Sequence, residues 1–562
     1  MGRFWQSWNM KALRRYRKTR HGVGVPLSNV HPTPSSGLDP SPESVSKLAR
    51  EVGLPEAAVR GALSFYTDLH TRRDAIRICQ GTSCTLAGAA KLKSLLADRS
   101  PCRDVYCLGF CDQSPAVLDE RGEVHAGSEA WRLAEGGGET SAPALAPSAR
   151  SLVRKPLVLG RVLAGDCSAL DAARAAGAYR AIEKALTQSP AEVLGAVERS
   201  GQRGRGGAGF PTGAKWRACA EAPGEPRYVV VNGDEGDPGS FIDRVLMEQD
   251  PHGVLEGMLL CGYAVGASRG IVFIRSEYPR AIERMRAAVE AARAAEIFGA
   301  SILGSRFAFD VSVVEGLGSY VCGEETAMLN AIEGFRGEVR IRPPYPAVEG
   351  LYGKPTVVNN VETLANIPPI IEHGPEAYAA LGTEKSKGTK VICFNHGFAR
   401  PGLLEVEFGI TLRELIEEAG GGAGGRRLEA VVLGGPMGSL LVPEEWDVPV
   451  CYGAMGERGI QLGHGGLVAI PEGSDSRALL EHWIEFMMEE SCGKCVPCRL
   501  GSRAAWNLLR ANGQPGARPQ LERLFDVMDQ GSLCAFGQNL PGPMRALVRH
   551  FGDRIFKSAG QS

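Results

Sequence analysis

The spacing of four cysteines limits this chain more than any other feature. Cys492, Cys495 and Cys498 recur at every third residue in ESCGKCVPCRLG, and Cys534 follows in GSLCAFG. Three thiolates so spaced wrap one corner of a cubane, and a fourth from a neighbouring helix completes the four-thiolate set of a [4Fe-4S] cluster. Zinc also takes four thiolates, but usually as two C-x2-C pairs. Unrelated buried thiols are the remaining reading. A second set, Cys79-x4-Cys84 and Cys107-x3-Cys111, puts each pair where a strand gives way to a loop. Two thiolates per iron from adjacent loops suit a [2Fe-2S] rhomb. The alternative is a zinc ribbon, whose pairs usually enclose two residues.

Fifteen cysteines in 562 residues are too dilute for a disulfide scaffold, so a reducing cytoplasm is the expected setting. A net charge of −1 argues against a nucleic-acid partner. No run of about 18 apolar residues occurs, so no transmembrane helix is expected. Residues 1–38 hold seven Lys or Arg and no acid, without the apolar stretch of a secretory or twin-arginine signal. Residues 1–42 therefore read as a basic flexible arm: a solvated tail, a start misplaced before Met10, or a docking arm for a partner or membrane surface.

The length suggests about three to five domains. Residues 43–133 run helix, helix, strand, the loop GTSCTLAG, helix, strand and hairpin, a compact α/β module. Residues 134–151, rich in small residues and Pro, read as a linker. From 152 to 370, apolar runs (RYVVV, RGIVFI, FDVSVV) alternate with helical ones, the rhythm of a parallel sheet covered by helices. Short strands around the helix TLRELIEEAG make 371–445 a small α+β module. Residues 446–562 read as a helical bundle.

Three further constellations carry chemistry. SGQRGRGGAGFPTGAKW holds six glycines between Gly201 and Gly213. Gly204 to Gly209 matches G-x-G-x-x-G, but the preceding PAEVLGAVERSG looks helical, which demotes the standard dinucleotide fold. A backbone stripped of side chains can still approach a phosphate or flat ring, with Arg203, Arg205 and Lys215 supplying charge; a ligand-free flexible loop is the bland alternative. Asn232, Asp234, Glu235 and Asp237 crowd the C-terminal end of the RYVVV strand, where open α/β sheets bind ligands. They also suit a divalent metal or a solvated turn. In GLGSYVCGEET, Glu324 and Glu325 precede a helix beside Tyr320 and Gly323; capping would explain one acid. VVNNVET adds Asn359, Asn360 and Thr363, amide and hydroxyl groups suited to a ribityl chain or ring edge.

Together RGRGGAGFPTGAKW, NGDEGDPGSF, GSYVCGEET, RPPYPA, VVNNVET and ESCGKCVPCRLG resemble the flavin-containing, NADH-binding subunit shared by respiratory complex I, NAD-reducing hydrogenases and NAD-dependent formate dehydrogenases. The likeness spans about residues 155–562. Residues 44–130 resemble the [2Fe-2S] protein that accompanies that subunit, here fused, as in formate dehydrogenase beta subunits and hydrogenase diaphorase subunits more than in complex I. The resemblance implies a thioredoxin-like module, a Rossmann-like FMN domain, a small ubiquitin-like α+β domain and a C-terminal helical bundle.

It further implies that FMN and NAD(H) share one pocket. Gly204, Arg205, Gly206, Gly207, Lys215, Asn232, Asp234, Glu235, Tyr320, Gly323, Glu324, Asn359, Asn360 and Thr363 would hold FMN. Phe210, Asp237, Glu325, Arg342 and Tyr345 would face the dinucleotide, with Glu325 the residue expected to matter most for catalysis. Asp237, Arg342 and Tyr345 stand where complex I is expected to have Glu, Lys and Phe. The segment between Cys84 and Cys107 is shorter than in the family. Hydride would pass from NADH to the flavin and electrons singly to the cluster held by Cys492, Cys495, Cys498 and Cys534. The [2Fe-2S] cluster would serve as a side store or second port. The partner implied is a catalytic iron-sulfur subunit of a formate dehydrogenase, a hydrogenase or a complex I-like enzyme. A non-catalytic scaffold and a zinc-binding module are the rival readings.

Overall fold

The computed structural model describes residues 41–70, 75–136, 142–511 and 516–556; the basic arm expected at 1–42 lies almost wholly outside them. Three sheets and a helical bundle pack side by side.

The N-terminal module opens with helices Pro42–Val52 and Glu56–Leu63. Ser41 caps the first by accepting from the Ser44 amide. Four strands follow, β1 (Ile76–Cys79), β2 (Cys102–Val105), β3 (Ala116–Leu118) and β4 (Val124–Ala126), in the order β2-β1-β3-β4. β1 and β2 run parallel and pair Cys79 with Val105, so the first cysteine pair and the loop bearing the second emerge at one end of the sheet. GTSCTLAG, expected as a loop, winds into the helix Thr82–Leu86 and buries Cys84.

The expected linker contains a strand: β5 (Ala149–Ser151) pairs parallel with β11 (Gly402–Glu407) and forms the edge of a six-stranded sheet. Its other members are β10 (Thr389–Phe394), β12 (Leu428–Leu433), β13 (Ser439–Leu441) and β14 (Gly466–Pro471). β14, expected within the helical bundle, lies between β10 and β12. The helix Ile367–His373 runs through the boundary expected at 370, and TLRELIEEAG ends in a π-helical turn, Glu414–Ala419.

The central sheet is fully parallel, in the order β8-β7-β6-β9: β6 is Tyr228–Gly233, β7 Arg269–Ile274, β8 Asp310–Glu315 and β9 Thr356–Asn360. Val229, Val230 and Val231 are all buried, as befits a strand covered on both faces. The chain leaves β6 toward β7 and β8 on one side and returns as β9 on the other, so the order reverses between β6 and β9. A crevice opens at the carboxyl ends of the strands at such a reversal. Asn232 and Asn360 are register partners there.

The bundle comprises helices Ser476–Glu490, Val496–Arg510, Ala517–Gly531, Ala535–Asn539 and Pro541–Ile555 around Trp483, Phe525 and Leu547.

Candidate flavin and iron-sulfur sites

The glycine loop connects two helices, Pro190–Arg199 and Thr212–Glu221. The first opens with a Ser189–Glu192 capping box, which fixes where that helix begins. Space around the loop is fully used: a Cβ on Gly206 would lie 2.9 Å from Asn360 Cβ, and Gly207 has φ +118°. Only glycine lets this backbone present its amides so closely to the crevice.

The crevice gathers most of the polar residues that the sequence singles out. Asn232 Nδ2 donates to Gly323 O at 2.8 Å, tying the carboxylate loop to the loop before the helix Glu325–Ile332. Glu324 caps that helix through the Thr326 and Ala327 amides, so capping accounts for one acid of the pair. Glu325 instead meets Lys215 Nζ at 3.1 Å and Arg342 at 3.3 Å, a half-exposed ion network facing the opening. Tyr320 donates its hydroxyl to Asp237. Burial pushes the Asp234 carboxyl well above the usual range, further raised by Glu277, Glu490 and Asp237 and opposed by Arg275. Asp234 Oδ2 is buried with no hydrogen-bond partner among the described residues. An unpartnered buried carboxyl beside bare backbone amides suits a polyhydroxylated ligand with a phosphate, as FMN is. Phe210 and Tyr345 are 54% and 58% exposed.

Four predicted site residues turn their side chains elsewhere. Arg205 is buried completely, with its guanidinium bonded to Arg203 O, Lys387 O and the Tyr378 hydroxyl and stacked over Phe408; it holds the loop from behind. Glu235 accepts from Ser240 Oγ and the Asp243 and Arg244 amides, capping the helix Ile242–Gln249 from the interior. Thr363 Oγ1 accepts from the Arg205 amide, and Asn359 Oδ1 from Trp216 Nε1. These residues shape the pocket wall. The sequence reading missed Arg275, Tyr278, Gly239 and His464. Of these only His464 carries a legible signal, being the one histidine with glycine on both sides.

Each thiol set closes in space. Cys107 Sγ and Cys111 Sγ are 3.4 Å apart, and the Cys79 thiol interacts with both Cys84 and Cys107. Backbone amides aim at the sulfurs: Gly81 at Cys79, Gly109 at Cys107, and Gly239 at Cys111 over 3.3 Å. Cys107 and burial push the Cys111 thiol well up. In the bundle, burial raises Cys498 to about 12, with Cys495, Cys534 and Cys492 adding to it, and raises Cys534 to about 11. Buried thiols of that kind stay protonated at neutral pH unless a bound metal holds them as thiolates. Cys495 and Cys534 each cap a helix start, where the positive dipole end favours a thiolate cluster.

A flavin crevice in contact with two modules that each carry a four-thiol set defines a flavin and iron-sulfur electron-transfer protein. Comparison with known proteins matches the Nuo51 FMN-binding domain to residues 197–369. The NADH-ubiquinone oxidoreductase-F iron-sulfur binding region matches 478–557, and the thioredoxin-like [2Fe-2S] ferredoxin matches 40–126. An NADH-quinone oxidoreductase subunit of Rhizobium meliloti is 43% identical over 403 residues, covering 71% of this chain and 96% of that one. The NADP-reducing hydrogenase subunit HndC of Solidesulfovibrio fructosivorans is 43% identical over 393 residues, covering 69% and 80%. A crystal structure of an NAD+-reducing [NiFe]-hydrogenase in the H2-reduced state superposes with a TM-score of 0.79 at 30% identity, covering 92% of this chain and 90% of that chain. The chain belongs to the Nuo51 family of NADH-oxidising flavoprotein oxidoreductases, and it carries FMN-binding, [4Fe-4S]-binding and [2Fe-2S] domains. Among the described residues no helix is long and apolar enough to cross a membrane.

Proposed function

We propose that this chain is the diaphorase subunit of a larger complex, exchanging electrons between NAD(H) and a catalytic iron-sulfur partner. The observation that carries the reading is the crevice between β6 and β9, whose carboxylate loop reaches Cys111 through the Gly239 amide and whose Tyr320 packs on Phe536, two residues after Cys534. Bound FMN converts between two-electron hydride chemistry and the one-electron chemistry of iron-sulfur centres. The chain's own part is geometric. Gly204, Gly206 and Gly207 admit the cofactor to the backbone, while Asn232, Asp234, Gly323 and Asn360 edge its seat. Lys215, Glu325 and Arg342 form a charged rim, with Phe210 and Tyr345 offering open rings, where a dinucleotide would lie. Asp237, restrained by Tyr320, faces the same side. Cys79, Cys84, Cys107 and Cys111 would hold the [2Fe-2S] cluster, and Cys492, Cys495, Cys498 and Cys534 the [4Fe-4S] cluster.

For the partner, fusion of the [2Fe-2S] module and the run NGDEGDPGSF favour the catalytic subunit of an NAD-dependent formate dehydrogenase in the cytoplasm. Likeness across nearly the whole chain to a hydrogenase structure favours a nickel-bearing partner as the second reading. Purification of the native complex separates them. Mass spectrometry of the co-purifying subunit and metal analysis should find molybdenum or tungsten; nickel would establish the second reading. A colourless chain holding zinc and no iron would sink the diaphorase reading itself.

A further inference from the structure

One titratable cluster outside the thiol sets is fully buried and joins two modules. His464 sits on the turn entering β14, so it belongs to the six-stranded-sheet module, yet its ring reaches into the flavin module. Nε2 lies 3.1 Å from Asp243 Oδ2, and Nδ1 lies 3.9 Å from Glu235 Oε1. Asn360 Nδ2 donates to that same Asp243 oxygen at 2.6 Å and lies 3.1 Å from His464 Nε2. Asn360 in turn is the residue against which Gly206 rests, and a Cβ on Gly207 would lie 3.7 Å from Gly463 Cα. The turn bearing His464 thus lies close to the flavin loop and braces it through Asp243 and Asn360.

Glu235, Asp243 and His464 lie close enough to share a metal ion, but their oxygens are already engaged. Glu235 Oε1 accepts from Ser240 Oγ and the Asp243 amide, and Oε2 from the Arg244 amide. Asp243 Oδ1 accepts from the Glu362 amide. An imidazolium pairs with Asp243 over 3.1 Å and faces Glu235 over 3.9 Å without displacing any of these bonds. Of the other charged groups facing the cluster, Lys390 is paired with Glu362, Tyr278 donates to Glu235, and Asp237 adds negative charge.

We propose that His464 is a positioning residue for the flavin: held as a cation beside Asp243 and Glu235, it fixes the Asp243 carboxylate to which Asn360 donates, and so holds Asn360 against Gly206 and sets the shape of the Gly204–Gly207 loop. The proposal rests on the flavin reading above. Burial alone would lower the imidazole, but Asp243, Glu235 and Asp237 outweigh it and raise it to about 9. The cation therefore persists through neutral pH and is lost as pH rises through that value.

The test is the dissociation constant of FMN from the full chain, read by the fluorescence of released flavin from neutral to alkaline pH, for the unsubstituted protein, His464→Gln and His464→Lys. Loss of one charge-assisted contact should weaken FMN binding about tenfold. The unsubstituted protein should show that loss as pH passes about 9. His464→Gln should be weak already at neutral pH with no alkaline step, and His464→Lys should restore neutral affinity and move the step upward. Equal affinity and an unchanged step in His464→Gln would overturn the proposal, as would a bound divalent metal other than iron that this variant loses. If His464→Gln does not fold, the step in the unsubstituted protein and its displacement in His464→Lys decide. Failure of the unsubstituted protein to bind FMN at any pH would instead refute the flavin reading.

Discussion

Two basic residues, one in the glycine loop and one in the helix that follows it, look equivalent in sequence and behave differently in the fold. Lys215 reaches the rim and pairs with Glu325, whereas Arg205 points inward to two carbonyls and a tyrosine hydroxyl. Arg205→Met leaves those buried acceptors without their donor, at a cost of about 2–4 kcal/mol. It should lower the melting temperature while the folded remainder keeps its flavin; lost flavin at unchanged stability would return Arg205 to the flavin site. Glu325→Gln is the mirror case. Removing a charge-assisted contact at the rim should raise the KM for NADH about tenfold with flavin content intact. An unaltered KM would remove Glu325 from the dinucleotide site.

At the level of elements, legibility follows locality. RYVVV and RGIVFI announce themselves as continuous apolar runs, and the helix Pro190–Arg199 is visible in its Ser189-Pro190 start and Glu192. β9 is hidden because it ends in the polar pair Asn359-Asn360, which reads as a site and not as a strand. β14 is hidden because its partners, β10 and β12, lie far upstream, and no short-range pattern shows that pairing. The site is legible where chemistry is concentrated, in thiols and glycines, and illegible where a side chain's direction decides, as at Arg205 and Glu235. The carboxylate loop after β6 shows what direction adds: it ends at Gly239, whose amide points at Cys111 in the N-terminal module. Gly239 has φ +112°, and a Cβ there would lie 2.9 Å from Val468 Cγ2. Gly239→Ala must therefore shift the loop away from Cys111, with about 1–2 kcal/mol of backbone strain besides. The electron paramagnetic resonance signal of the [2Fe-2S] cluster should change while that of the [4Fe-4S] cluster stays the same. Two unchanged signals would show that this amide does not serve the cluster.

Across the whole molecule, buried polar contacts bind the modules into one body. Arg275 donates to Tyr106 O in the N-terminal module and to Glu235 O in the flavin module, and Trp483 of the bundle donates to Thr82. Unfolding must therefore hydrate buried titratable groups in several modules together, and their signs set the pH profile. Burial lowers His252, in the flavin module, and His482, in the bundle, from 6.5 to about 4. Both are held neutral when folded and bind protons more readily when unfolded. Their contribution is present above pH 6.5 and is lost as pH falls through about 4. His464 works in the opposite sense: its contribution is complete below 6.5 and lost as pH rises through about 9. Stability should therefore decline on both sides of a near-neutral plateau. His482 rests 6.1 Å from the Tyr106 ring, a packing that Phe can preserve. His482→Phe removes one acid-side proton, which is about 1.4 kcal/mol per pH unit between the two pKa values. In scanning calorimetry the variant should match the unsubstituted protein above neutrality and melt at a higher temperature than it once the pH falls well below 6.5. Parallel acid limbs would mean that His482 gains its proton without unfolding, and that the bundle around it admits water.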